Sequence, residues 1–183
     1  TPPTPPTVTA VAPANNAIGV AVNNLFVTAD FSEPMVAFAG GASFTLACAP
    51  PCTAPTGSVT LDPTLRIATL ALPTGSTLVT QTVYVATIAG ATSLATGVAM
   101  AAPFVWQFTT GATSDVTRPR VVLTVPATAI AGPSNGTPVN TALAAAFSED
   151  MAPGTLGTPS FLLSCAAPCV APAGVVTYTV GNR

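Results

Sequence analysis

Phe31-Ser32-Glu33-Pro34-Met35 returns as Phe147-Ser148-Glu149-Asp150-Met151. Ser43-Phe44-Thr45-Leu46-Ala47-Cys48-Ala49-Pro50-Pro51-Cys52 returns as Ser160-Phe161-Leu162-Leu163-Ser164-Cys165-Ala166-Ala167-Pro168-Cys169. The offset is 116 residues from Phe31 to Phe147 and 117 from Ser43 to Ser160, about one domain length. The chain therefore reads as tandem modules of one type, and no catalytic constellation accompanies the repeat.

Working outward from these phrases, the first copy reads as short strands separated by turns. Val8 to Val11 is a β-branched run closed by the turn cluster Pro13-Ala14-Asn15-Asn16. In the run from Val20 to Phe31, Leu25, Val27, Ala29 and Phe31 share one face, and Phe26, Thr28 and Asp30 the other. Ser43 to Ala47 leads into the first cysteine loop. Gly57 to Leu61 and Arg66 to Leu72 flank an Asp62-Pro63 turn and predict a hairpin. Gln81 to Ile88 alternates, and Phe104, Trp106 and Phe108 alternate with Val105, Gln107 and Thr109. About seven strands punctuated by turns, with no 3.6-residue apolar period, predict an all-β Ig-like sandwich. Residues 91 to 102 read as a loop. Phe31, Phe104, Trp106 and Phe108 are assigned to the core of the first copy and Phe147 to that of the second.

The organisation that follows is a Pro-rich linker at 1–6, a sandwich at 7–111, a linker at 112–118, and a partial sandwich at 119–183. In the second copy Val121 to Val125, Val139 to Phe147, Ser160 to Ser164 and Val175 to Val180 repeat the first four strand signals. The strands that close the first copy, among them Phe104-Val105-Trp106-Gln107-Phe108, have no counterpart before Arg183. A half sandwich leaves an apolar sheet face and strand edges open to water. Completion is expected from further domains of the same polypeptide or from strands of another subunit in a self-associated polymer. The N-terminus is a poor donor, because its prolines supply no ladder N–H groups.

Composition narrows the function classes. Charged residues are 5% of the 183 and hydrophobic ones 49%, with no Lys, no His and a net charge of −2. Such a chain has no basic field for nucleic acid. No apolar run approaches the roughly 18–20 residues of a spanning helix, so no transmembrane segment is expected. The opening Thr-Pro-Pro-Thr-Pro-Pro shows no signal peptide, as in a secreted protein that has lost its leader or a fragment of a longer chain. A surface so poor in charge is either covered by sugar or neighbours, or hydrated by Thr, Ser and Asn.

Taken together, Thr-Val-Thr-Ala-Val-Ala-Pro-Ala-Asn-Asn-Ala-Ile-Gly-Val-Ala-Val, Phe-Ser-Glu-Pro-Met, Ser-Phe-Thr-Leu and Phe-Val-Trp-Gln-Phe-Thr-Thr-Gly resemble the bacterial Ig-like domain of the surface-layer type. The resemblance covers residues 7–111, and 119–182 as a partial copy. It implies a sandwich used as spacer or building block in secreted and cell-surface bacterial proteins, with no catalytic residues. The second copy departs from the pattern at Asp150, where the family usually has Pro. The Cys-x-x-x-Cys insertions lie outside the general pattern.

The cysteines are the most distinctive chemistry. Cys48 and Cys52, and Cys165 and Cys169, each span a Pro-containing turn, which suits a local disulfide in an oxidising compartment. A four-cysteine zinc site competes, but the pairs belong to separate modules and have three intervening residues where two are common. Asp30, Glu33, Asp115, Glu149 and Asp150 are calcium candidates on residue type. Calcium takes six to eight oxygens, and the alternative is that these carboxylates bond nearby backbone in turns. Asn135-Gly136-Thr137 fits a glycosylation acceptor and is equally a turn. Without His or Lys there is no base for a Ser or Thr nucleophile.

No cofactor is implied. The sequence reading is a non-enzymatic extracellular structural protein, forming a filament, sheath, surface layer or stalk from tandem Ig-like modules. The alternative is an adhesin, or an ice- or polysaccharide-binding protein, in which these are spacer or binding modules.

Overall fold

The computed structural model of the chain describes residues 2–127 and 136–179. Eight strands build the first copy: β1 (Val8–Ala12), β2 (Ala17–Val20), β3 (Phe26–Phe31), β4 (Ser43–Cys48), β5 (Ser58–Leu61), β6 (Ile67–Ala71), β7 (Val83–Ala89) and β8 (Phe104–Thr110). They form two sheets, β1-β3-β6-β5 and β2-β8-β7-β4. All pairs are antiparallel except β2 with β8.

The period-two pattern decides what each strand buries. Val27, Ala29 and Phe31 of β3 and Ala68 and Leu70 of β6 face inward from one sheet. Phe44, Tyr84, Ala86, Ile88, Trp106 and Phe108 face them from the other. Phe44 and Trp106 rings lie 5.6 Å apart, and Tyr84 and Phe108 stack at 5.8 Å. Phe104 is half-buried and packs against this core from its edge. Side chains packed face to face in this way exclude water, the main favourable term in folding.

The run read as continuous from Val20 to Phe31 is two strands in different sheets. Asn23-Asn24 makes a turn there, with the Asn24 amide donating to the Ala21 carbonyl at 3.0 Å. The extra strand, β2, runs beside β8, and its register shifts around Gly19, whose φ of +72° suits glycine. The composition-based linker at 1–6 also changes character, because Pro6 is fully buried against the sandwich. Residues 91–102 contain no helix; they carry two isolated bridges, Met35 to Ser93 and Thr92 to Ala99.

The second copy contributes a two-stranded ribbon of β9 (Val121–Val125) and β10 (Ala144–Phe147), then a 3-10 turn at Pro153–Thr155. Its register reproduces that of β1 and β3. Val8 pairs with Phe31, Ala10 with Asp30, Val11 with Ala29 and Ala12 with Thr28; Val121 pairs with Phe147, Leu123 with Ala146, Thr124 with Ala145 and Val125 with Ala144. Even the bulge that skips Thr9 recurs at Val122.

Ser160–Ser164 and 175–179, read as strands from the repeat, lie outside any strand. The reason is partner availability. In the first copy β4 is an edge strand paired only with β7, and β5 only with β6. Among the described residues of the second copy only β9 and β10 pair, so neither segment has such a partner. A strand without a ladder leaves its amides to water and gains nothing from extension. For the same reason Phe147 is half-buried where Phe31 is enclosed: among the described residues no second sheet faces it.

Trp106 is the only tryptophan and lies in the first copy, so its fluorescence reports that sandwich alone. Phe31→Ala is expected to destabilise the tryptophan-detected denaturant transition by about 3–5 kcal/mol. Phe147→Ala is expected to leave it within about 0.5 kcal/mol. Equal loss from both substitutions would show a shared, closed core instead.

Candidate functional site

The repeated Phe-Ser-Glu phrase sits at a corner where three segments meet. Phe31 ends β3 inside the core. The next residue turns outward, and Ser32 Oγ accepts the Thr7 amide at 3.1 Å while the Ser32 amide donates to the Thr7 carbonyl at 2.9 Å. This reciprocal pair fastens the start of β1. Arg66 Nη1 donates to the Ser32 carbonyl at 2.6 Å, drawing in the β5–β6 hairpin. The buried Ser93 hydroxyl donates to Glu33 Oε2 at 2.5 Å, and the Met35 amide donates to the Leu65 carbonyl at 2.8 Å. In the second copy Ser148 repeats the latch: its Oγ accepts the Arg120 amide at 3.0 Å and its amide donates to the Arg120 carbonyl at 2.8 Å.

The carboxylates proposed for calcium are distributed over separate places. Asp30 lies mid-strand in β3 and Glu33 at the corner. Asp115 and Glu149 come together in an open cleft lined by Asp115, Val116, Thr117, Arg118, Arg120, Ser148 and Glu149. Asp150 follows Glu149 and has partners of its own. Among the described residues no three His, Cys, Asp or Glu side chains gather in a metal-holding group.

Burial is the main influence on Asp30 and raises its carboxyl above the ordinary value, against a hydrogen bond from the Phe31 amide and the nearby Arg66 charge. Asp115 is shifted the other way: the Thr117 hydroxyl and then the Thr117 amide donate to its Oδ1, at 2.6 and 2.8 Å, and lower its pKa.

Two residues that the motif reading passed over organise the same region. Asp62 Oδ1 accepts the Arg66 and Ile67 amides, both at 2.9 Å, and its Oδ2 accepts the Thr64 hydroxyl at 2.6 Å. Its side chain closes the β5–β6 turn, and the Asp-Pro pair is the signal that marks it. Asn23 grips the linker: its Nδ2 donates to the Asp115 carbonyl at 2.8 Å, and its Oδ1 accepts the Asp115 amide at 2.9 Å. Only the Asn-Asn turn marks Asn23 in the sequence, and its partner is 92 residues away.

Cys48 is bonded to Cys52 and Cys165 to Cys169, each with Cα atoms 5.8 Å apart, and the described residues include no free cysteine. The first bridge ends β4. Tyr84 is fully buried on β7, and its hydroxyl accepts the Val79 amide at 2.9 Å. It lies 3.4 Å from Cys52 Sγ; a disulfide sulfur has no hydrogen, so the hydroxyl is the donor. Trp106 is buried, with its indole N–H donating to the Pro13 carbonyl at 3.2 Å. Asn135 lies outside the described residues.

The polar side chains of this region thus hold backbone segments together. The bacterial Ig-like domain family matches residues 2–110. No curated protein matches the chain. Among solved structures, the surface-layer protein SbsC, domains 1–6, matches at 16% identity and a TM-score of 0.45, over 66% of this chain and 15% of that one. The S-layer protein rSbsC(31-844) matches at 17% identity and a TM-score of 0.43, over 64% and 15%. The chain spans about 15% of the length of these structures.

Two outcomes follow from these side chains. Because the folded state holds the Asp30 proton more tightly than the unfolded chain, the stability that protonation provides is complete in acid and is lost as pH rises through the raised pKa. Asp30→Asn is therefore expected to match the wild type in acid and to melt at a higher temperature near neutrality, in paired melting curves across pH; a constant difference at all pH values contradicts this. Replacing Cys48 and Cys52 by Ser removes a five-residue loop closure and is expected to cost roughly 2 kcal/mol in denaturant titration.

Proposed function

We propose an extracellular structural role for this chain, which belongs to the bacterial Ig-like domain family. Its modules serve as non-enzymatic building blocks of a filament, sheath, surface layer or stalk. The observation that carries this reading is the hard wiring of one module to the next. The linker is held at Asn23 by two hydrogen bonds and at Val22, whose amide donates to the Thr113 carbonyl at 3.2 Å. Tyr178 of the second copy packs against the Ala12–Ile67 cluster on the outer face of the first sheet. A junction docked in this way transmits load, whereas a free linker absorbs it.

The surfaces support the same reading. Of all ten strands only β3 carries a charged residue, Asp30. On the outer face of β2-β8-β7-β4, Thr45, Thr87 and Val105 stand in register across three strands, beside Ala47, Val85 and Gln107. An uncharged sheet face allows close approach of a like face without repulsion. The disulfides favour an oxidising compartment, and no helix among the described residues is long and apolar enough to cross a membrane.

A binding platform finds less support. Trp106, Tyr84, Phe31, Phe44 and Phe108 are buried, so they offer no aromatic surface for sugar rings. Thr28, Thr69 and Thr60 do align across β3, β6 and β5, but Thr28 and Thr69 are buried. An ice-binding array needs such a row exposed.

Sedimentation velocity over a broad concentration series tests the reading. The expected outcome is association that grows with concentration and that Val105→Lys weakens, while Thr60→Lys on the other sheet leaves it intact. A monodisperse monomer at the highest concentrations would overturn it.

A further inference from the structure

We propose that the docking of the second copy on the first is a proton-controlled clasp, closed while the Asp30 carboxyl holds its proton and released as it ionises. Three observations converge on Asp30. The first is its place. Ala10 on β1 and Ile67 on β6 are its direct cross-strand partners, and opposed residues share one face of a sheet. Val27, Ala29 and Phe31 point inward, so Asp30 stands with Ala10 and Ile67 on the outer face. Ile67 and Ala12 form the buried cluster there, against which Ala10 and Tyr178 pack. The carboxyl thus lies between two members of the apolar seat that receives the second copy. Tyr178 is steadied from behind, since its hydroxyl accepts the Met151 amide at 3.0 Å.

The second observation is that the ladder does not call for a charge at this position. The repeat places Ala146 where the first copy has Asp30, opposed to Leu123 as Asp30 is opposed to Ala10. Asp30 is the one charged side chain among the described strands. The third is its environment. Burial holds the carboxyl above its ordinary value, outweighing the Phe31 amide and then the attraction of Arg66. Charged neighbours are few. Arg66 turns its Nη1 to the Ser32 carbonyl, and Asp62, which repels Asp30, is turned onto the amides of its own hairpin turn. β1 contributes no ionisable side chain; the second copy brings Tyr178 and, next to Met151, Asp150. Docking takes water from the carboxyl, so the docked state binds the proton more tightly than the open one. The hold is therefore complete in acid and is lost as pH rises through the raised pKa. The linker grip does not titrate with it, because Asn23 bonds the backbone of Asp115 and not its carboxylate.

Nuclear Overhauser contacts between the Tyr178 ring and the Ile67 methyl groups read the clasp directly in the 183-residue protein. They are expected to weaken about threefold or more from about pH 4 to about pH 8, while contacts within the Trp106 core persist. In Asp30→Asn they are expected to stay strong throughout. Tyr178→Ala supplies the reciprocal reading: the titration midpoint of the Asp30 carboxyl resonance is expected to fall toward that of an ordinary carboxyl. Wild-type contacts that do not change with pH would overturn the proposal, and so would the same weakening in Asp30→Asn. An Asp30 midpoint that Tyr178→Ala leaves unmoved would overturn it too, assigning the burial to the first sheet alone. The readout is intramolecular, so the clasp and the assembly expected of a structural protein can fail independently.

Discussion

A β-strand is stable only with a hydrogen-bonded neighbour, and a sandwich core is dry only when both sheets are present. Nearly every feature of this protein follows from how far that condition is met. In the first copy each of eight strands has its partner, and two sheets enclose Phe31, Tyr84, Trp106 and Phe108. Among the described residues of the second copy the condition holds for β9 and β10 alone. Similar local sequence then has different outcomes: Ser43–Cys48 is a strand, and Ser160–Cys165 is not.

Charge is nearly absent, so polar order comes from neutral hydrogen bonds and from a few carboxylates turned onto backbone. Asp62 closes a hairpin, Ser32 latches the first strand, and Glu33 receives the Ser93 hydroxyl. Each such bond contributes modestly to stability, about 1 kcal/mol, but leaving a buried partner unsatisfied costs more. The corner is thus a device for specifying geometry. Its repetition at Ser148 and Arg120 shows that the latch forms from local contacts without the rest of the sandwich.

Two disulfides close turns that immediately follow strand signals, and a docked linker ties the modules. These devices stiffen short-range and junction geometry without placing charge on the strands, where Asp30 of β3 is the one charged side chain among the described strands.

The repeat, the all-β class, the inward set Val27, Ala29, Phe31, Trp106 and Phe108, and the spacing of the cysteine pairs were legible in the sequence. They rest on period-two alternation and on close spacing, which are local. What only the tertiary structure decided depends on residues far apart. The split of Val20–Phe31 into strands of different sheets follows from β2 pairing with β8. The grip of Asn23 on Asp115 spans 92 residues. The half-buried state of Phe147, and the non-strand conformation of 160–164 and 175–179, follow from which strands pair among the described residues. A strand's pattern of side chains is written in its own residues, but whether it becomes a strand is settled by the hydrogen-bonding edge of another.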